Sequence, residues 1–348
     1  MCLSQLNKMK KLNVAIVGAG LLGEVHAKAY KNHGKSKLLW VCDLNKKRAK
    51  ALAKKFRCKA TTELKDIAND KRVDAVSVVT PDFAHKSIVI RLLKAGKHIL
   101  CEKPLATNTK DAKEMVREAR KRKLYLMVDF QNRWSPLFLE AKKQIDSGYL
   151  GNLVTGYARL SNTLFVPTKM LAWAGKSGPE WFLLPHIFDL VRWMTGRKKI
   201  VEVFARGQKK ILKSKGINAF DAVQTSIKFA DGGFFTFENS WVLPEGAPTM
   251  IDFKMTLLGS KGKIELDGDN QGIALTDSKK YATPFILAEQ NAFGKTTGFF
   301  QEPLMHFVDS LLKGKEPEAP GEDGVAATIV VEAAVKSIKT GKSIKVSI

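Results

Sequence analysis

The run Gly18-x-Gly20-x-x-Gly23 constrains what this chain can fold into more than any other feature. It follows an apolar, β-branched stretch, Asn13 to Val17, that predicts a strand, and it precedes Glu24 to Asn32, which predicts a helix. A second strand is expected over Lys37 to Cys42, and Asp43 stands directly after it, 20 residues beyond the last glycine. A glycine run is a weak signal alone, but this context gives each residue a task. The first glycine permits a tight turn, the second lets backbone approach a pyrophosphate, and the third lets the helix pack closely on the strand. Asp43 is placed to accept hydrogen bonds from ribose hydroxyls and to repel a 2′-phosphate, which favours NAD over NADP. Lys46, Lys47 and Arg48 follow at once and could neutralise that phosphate, so NADP stays open. Their simpler reading is an exposed helix start.

The alternation continues with a helix over Lys46 to Phe56 and a strand over Val73 to Val79 stopped by Thr80-Pro81. A helix at His85 to Ala95, a strand at His98 to Cys101, a helix at Ala112 to Lys121 and a strand at Tyr125 to Val128 follow. Strands and helices in this order predict a doubly wound parallel α/β sheet with helices on both faces. After Gln131 the character changes. Helices are expected at Pro136 to Ser147 and Glu180 to Thr195, on either side of a strand at Leu153 to Leu160. Residues 201–267 are strand-rich, with hairpin turns at Asp231-Gly232-Gly233 and Lys261-Gly262, and helices close the chain at Pro303 to Leu312 and Asp323 to Thr340. The expected division is a dinucleotide-binding domain over 9–130 and an α+β domain with a mainly antiparallel sheet over 131–348. The length of 348 residues agrees, at roughly 150 residues per domain.

The net charge of +24 raises a nucleic-acid or membrane-surface partner, so the placement of the cations matters. There are 46 lysines and only 12 arginines, in short scattered runs such as Lys8 to Lys11, Arg117 to Lys123 and Lys209 to Lys215. Bidentate phosphate recognition favours arginine, and stacking on bases needs interleaved aromatics, which these runs lack. Solvated faces are the better reading, and no nucleic-acid partner is expected. Cys2, Cys42, Cys58 and Cys101 form no CxxC pair, and the six histidines show no metal-ligand spacing, so no metal is expected. Neither a membrane span nor the apolar stretch of a signal peptide stands out, and Met1 to Leu12 is short and polar. The expected setting is the reduced cytoplasm.

Two places carry candidate chemistry. Glu102-Lys103-Pro104 follows the strand His98 to Cys101 directly, and ligands of doubly wound sheets bind at the carboxyl ends of strands. A lysine there can polarise a substrate oxygen, in a turn that Pro104 stiffens. The later helix carries His186, whose imidazole suits general-base duty toward an alcohol, and Asp189 three residues on. A lone histidine on an apolar helix is as readily a packed core residue, and Asp189 could simply pair with Arg192. Asn162, Arg159, Trp173 and Trp241 are candidates to line a substrate pocket, or packing residues.

These stretches together resemble the Gfo/Idh/MocA family, the glucose–fructose oxidoreductase and inositol dehydrogenase group. The resemblance runs through VAIVGAGLLGEVHAKAY, VVTPDFAHKSIVIRLLKAGKHILCEKPLATN, DFQNRWSPLFLEAKKQIDSGYLGNL and HIFDLVRWMTG to the closing helices. It implies an N-terminal Rossmann domain, a C-terminal domain with an open sheet, and hydride transfer between a nicotinamide and a hydroxyl of a sugar or cyclitol. It places Gly18, Gly20, Leu22, Asp43, Thr80, Pro81, His85, Glu102 and Lys103 at the cofactor, and Lys103 and His186 as the catalytic pair. Asp189 matches the His-x-x-Asp carboxylate, and Gln131 to Arg133 the turn at the domain junction. A homodimer or homotetramer through the open sheet is also implied. One departure stands out: many members carry a carboxylate four residues before the histidine, where this chain has Phe182. An NAD(P)-binding sensor of weak catalytic power is therefore the alternative.

Overall fold

The computed structural model describes residues 11–292 and 295–348. Cys2, the lysines of the 8–10 run and the start of the expected first domain lie outside them. Six strands, β1 (Leu12–Val17), β2 (Ser36–Cys42), β3 (Lys59–Thr61), β4 (Ala75–Val78), β5 (His98–Cys101) and β6 (Leu126–Val128), form one parallel sheet. Their order is β3-β2-β1-β4-β5-β6, so the direction of winding reverses between β1 and β4. Between the strands run α1 (Leu21–Asn32), α2 (Lys46–Phe56), α3 (Leu64–Asn69), α4 (His85–Lys94) and α5 (Thr109–Lys121). The pleat of β1 sorts its side chains: Val14 and Ile16 join the core under α1 and α2, while Ala15 and Val17 join the core that Val89, Leu92 and Met115 of α4 and α5 build. The strand β3 and helix α3 were not expected. Both are short, and β3 buries none of its three residues, so no apolar period marks it.

The chain then makes a turn of 3₁₀ helix at Gln131–Trp134 and enters α6 (Pro136–Asp146). A second sheet combines β7 (Leu153–Thr163), β8 (Ile200–Gln208), β9 (Ala222–Phe229), β10 (Phe234–Leu243), β11 (Ile251–Gly259) and β12 (Lys263–Asp267) with a terminal strand, Ile344–Lys345. Its pairs are antiparallel except β10 with β7. The hairpin turns fall where expected; Gly232 adopts φ +95°, a left-handed value that suits glycine. One face of this sheet, with Ala158, Leu160, Phe235, Phe237, Trp241 and Phe253, is buried. It packs against α7 (Pro179–Phe182), α8 (Leu184–Met194) and α11 (Gly321–Thr340). A short helix, α9 (Ile211–Ser214), precedes β9. The closing helices return to the first sheet: Leu304, Phe307 and Val308 of α10 (Glu302–Lys313) share a core with Val14, Ile16 and Tyr30, and α11 packs on α5.

The helix expected over Glu180 to Thr195 is two helices, broken at Leu183. Pro185 explains the break, because it lacks an N–H and its ring would strike the carbonyl four residues back. As a result His186 N donates to Leu183 O at 3.1 Å, and the Phe182 carbonyl is left without that helical bond.

Candidate active site

The glycine loop has the shape its sequence demands. Gly18 sits at φ +110°, and a Cβ there would lie 2.3 Å from the Val79 carbonyl oxygen; one on Gly23 would lie 2.1 Å from the Gly18 oxygen. A Cβ on Gly20 would meet nothing within 4 Å, so the surface at the start of α1 stays open. Gly20 caps α1 without a side chain, and Leu21 and Leu22 beside it are exposed, leaving the helix N-terminus free to face an anion. Asp43 follows β2 and accepts from Ala19 N at 2.8 Å through one oxygen and from Asn45 N at 2.7 Å through the other. It therefore also ties β2 to the glycine loop. The Thr80 hydroxyl, after β4, is buried with no hydrogen-bond partner. This open helix start, the carboxylate at the end of β2 and the unpaired hydroxyl fit a bound dinucleotide. His85 is different: its ring nitrogens lie 2.9 Å from the Pro104 and Thr80 carbonyl oxygens, leaving neither for a cofactor. It holds two loops of the crevice together.

Lys103 follows β5, with a cis bond to Pro104, and is 7% exposed. Its ammonium lies 3.1 Å from the Phe182 carbonyl oxygen and 4.0 Å from the centre of the Phe182 ring. The carbonyl freed by the Pro185 break thus anchors the lysine, and the ring at the position of the family carboxylate covers it. Burial pulls the ammonium below its ordinary value, opposed by the charges of Glu102, Asp82 and Asp129. Phe182 also contacts Trp241, at 5.6 Å, and Trp173, at 6.1 Å between ring centres. Together they form an aromatic wall beside the lysine.

His186, near the start of α8, is 8% exposed, and its Nδ1 has no partner. Burial, with the Lys103 charge adding to it, holds the imidazole well below its ordinary value, so it is neutral at neutral pH. Asn162 lies on the buried face of β7 with its Oδ1 unpaired, and the Trp241 Nε1 is likewise buried and unpaired. Arg159 is on the opposite face of β7, paired with Asp252 at 2.8 Å, and does not line this pocket.

Asp189 does not pair with Arg192. Its two oxygens are held by Arg133, at 2.7 Å and 2.5 Å, and at 2% exposure it presents no surface to a substrate hydroxyl. Arg192 instead meets Asp323 on α11, which also binds Arg133 at 2.8 Å and Arg197 at 2.9 Å. This network clamps α8, and with it His186, to the junction turn and to α11. Sequence reasoning missed His26, Asp129 and Asp323; only the GxxGxxH spacing of His26 offered a signal.

Residues 12–130 match the family model for the NAD-binding Rossmann fold of the Gfo/Idh/MocA oxidoreductases, and residues 142–347 match the model for that family's C-terminal alpha/beta domain. The chain belongs to the Gfo/Idh/MocA oxidoreductase family. Similar proteins include myo-inositol 2-dehydrogenase of Thermotoga maritima, 27% identical over 96% of this chain and 98% of that protein. Levoglucosan dehydrogenase of Pseudarthrobacter phenanthrenivorans is 27% identical over 66% of this chain and 67% of its own. Among solved structures, a putative myo-inositol dehydrogenase of Sinorhizobium meliloti superposes with TM-score 0.83 at 26% identity, covering 96% of this chain and 99% of that one. GenD2 of gentamicin A biosynthesis, solved in complex with NAD, gives TM-score 0.86 at 25% identity, with 97% of each chain covered. This Gfo/Idh/MocA protein is thus an NAD(P)-dependent oxidoreductase of CH–OH groups, with an NAD-binding Rossmann domain. Among its described residues no helix is long and apolar enough to cross a membrane.

Proposed function

We propose that this protein oxidises one secondary hydroxyl of a cyclitol or pyranose sugar, with Lys103 and His186 as its catalytic pair. The observation that carries this reading is a buried, neutral imidazole with an unpaired nitrogen, within reach of the charge of a buried lysine. Bound NAD supplies the hydride acceptor. His186 takes the hydroxyl proton, and the Lys103 ammonium stabilises the alkoxide that develops on the same oxygen. The glycine loop, Thr80 and Asp43 orient the dinucleotide, and Asp43 sets the preference for NAD over NADP. Asn162 offers a hydrogen-bonding oxygen, while Phe182, Trp173 and Trp241 offer a surface for the C–H face of a ring. That the relatives act on inositol and on levoglucosan, by their names, supports a polyol ring as substrate. The test is a panel of cyclitols and pyranoses with NAD and NADP in parallel, followed by nicotinamide absorbance. Reduction of NAD by at least one ring polyol is expected; binding of NAD with no turnover across the panel would leave the sensor reading standing, and a preference for NADP would overturn the role of Asp43.

The outer face of the second sheet carries alternating charges and partners, including Arg159 with Asp252, Tyr157 with Glu238 and Lys254 with Asp267. We assign it to self-association as a homodimer or homotetramer, and a monomer mass by light scattering would contradict that. The buried or half-buried free cysteines Cys42, Cys58 and Cys101 suit a reducing, cytoplasmic setting.

The Pro185 break gives a further expectation. Pro185→Ala restores an N–H and lets the two helices join, so His186 N competes for the Phe182 carbonyl that Lys103 uses. A hydrogen bond to a charged group contributes about 1.5–3 kcal/mol, so turnover is expected to fall roughly 10-fold or more while thermal stability holds or rises. Unchanged turnover would show that the carbonyl does not matter to Lys103.

A further inference from the structure

Behind Lys103, three side chains from three elements converge in the interior. His26 comes from α1, Glu102 follows β5 and Asp129 follows β6. His26 Nε2 lies 3.4 Å from Glu102 Oε1 and 3.4 Å from Asp129 Oδ2, and all three side chains are at most 7% exposed. His26 Nδ1 and Asp129 Oδ1 have no hydrogen-bond partner. One N–H shared at that length by two carboxylates makes no short hydrogen bond to either. What holds the group is charge in a poorly solvated place.

The charges can be followed residue by residue. Burial opposes a charge on His26, yet the two carboxylates outweigh it and lift the imidazole to about 9. Burial pushes the Asp129 carboxyl up to about 6. Glu102 also accepts from the Lys103 backbone N–H at 3.2 Å, and its charge acts on both His26 and the Lys103 ammonium. Asp129 supplies a second negative charge, and it reaches Lys103 together with Glu102 and Asp82. Facing Lys103 are Glu102 beside it, Asp129 after β6, Asp82 after β4 and His186 of α8. Facing Asp129 are His26 and Tyr30 of α1, with Cys101, Glu102 and Lys103 of the β5 strand and turn.

We propose that Asp129, held by His26, is a positioning residue of the dehydrogenase: it completes a buried charge cluster that keeps the Lys103 ammonium charged and in place. This rests on the reading of Lys103 as the cation that stabilises the alkoxide. Nothing in the dinucleotide-binding motif requires a carboxylate after β6. With an amide there, Lys103 would face Glu102 and Asp82 with the His26 charge resting on Glu102, and it would give up its proton more readily.

The experiment is kcat against pH for the wild type, Asp129→Asn, Asp129→Glu, His26→Gln and Lys103→Met, with NAD affinity measured for each. Asp129→Asn is expected to bring the alkaline limb down by about one pH unit, a tenfold loss on that side, with NAD still bound. Asp129→Glu should return the limb toward its wild-type place, and His26→Gln, which removes a positive charge, should not lower it. A limb unmoved in Asp129→Asn, or an equal loss at every pH, would overturn the proposal. So would activity that a chelator abolishes and a divalent metal restores, since the three side chains would then be metal ligands. Full activity in Lys103→Met would sink the catalytic reading and this inference with it; an inactive Lys103→Met beside an unmoved Asp129→Asn would sink the inference alone.

Discussion

His186→Ala is expected to reduce turnover by about 10²–10⁴-fold while NAD still binds, because a positioned general base typically contributes that much. The loss should lie in kcat and kcat/KM together, since the imidazole acts on the proton as it leaves. The pH profile gives the same claim a second reading. The imidazole must be neutral to accept the proton, and burial holds it well below its ordinary value. The acid limb of the profile is therefore expected below about pH 6.5, the ordinary histidine value, and not at it. Lys103 must stay charged, and burial lowers it, so the alkaline limb is expected below the ordinary lysine value of about 10.4. An imidazole packed as a core residue would give neither the loss nor the limb.

The second large effect concerns stability. Asp323 on α11 receives Arg133, Arg192 and Arg197, and Arg133 is 3% exposed with Asp189 as its other carboxylate partner among the described residues. Replacing Asp323 by alanine leaves buried guanidinium charge short of a counter-ion. Breaking such a pair on one side typically costs about 3–5 kcal/mol, and urea unfolding should show a midpoint lowered accordingly. Burial pushes the Asp323 carboxyl up, but Arg197, Arg133 and Arg192 outweigh it and hold it well below the usual carboxylate range. A folded-state value below the unfolded one stabilises above the ordinary carboxylate pKa and is lost as pH falls through the folded value. Wild-type stability should thus decline with acid below about pH 4, and Asp323→Ala should decline less steeply over the same range. A variant as stable as the wild type would mean that the clamp on α8 lies elsewhere.

The first sheet was legible because each of its principal strands is a short apolar run bounded by a turn signal, and each glycine of the loop has one physical task. The strand β3 escaped because its exposed residues carry no pattern. The break at Leu183 was written in Pro185, but the apolar period on either side outweighed a single residue. Arg159 and Asn162 were expected in one pocket, and the pleat separates them, since side chains an odd number of residues apart on one strand face opposite ways. Asp189 was expected at the substrate or, as its simpler reading, paired with Arg192, its neighbour on a helix. The structure gives each a partner from a distant element, Arg133 and Asp323. Contacts of that kind, like His26 with Asp129, join residues from 56 to 131 positions apart. No local spacing records them.

The charge of +24 is compatible with this chemistry without explaining it. Many of its lysines lie on exposed helix faces, as in α2, and among the described residues two are distinguished by burial. Lys103 is one; Lys97 is the other kind, a buried lysine whose ammonium caps the Asp70 and Val73 carbonyls at 2.8 Å and carries no chemistry.

Direct hydride transfer is the claim on which the rest depends. The measurement is mass analysis of the reduced nicotinamide formed from whichever ring polyol turns over fastest, deuterated at its carbinol carbons and reacted in ordinary water. One deuterium per reduced nicotinamide, formed by the wild type and lost with the reaction in His186→Ala and Lys103→Ala, is the result expected here. Reduced nicotinamide without deuterium, or turnover that survives both substitutions, would contradict it.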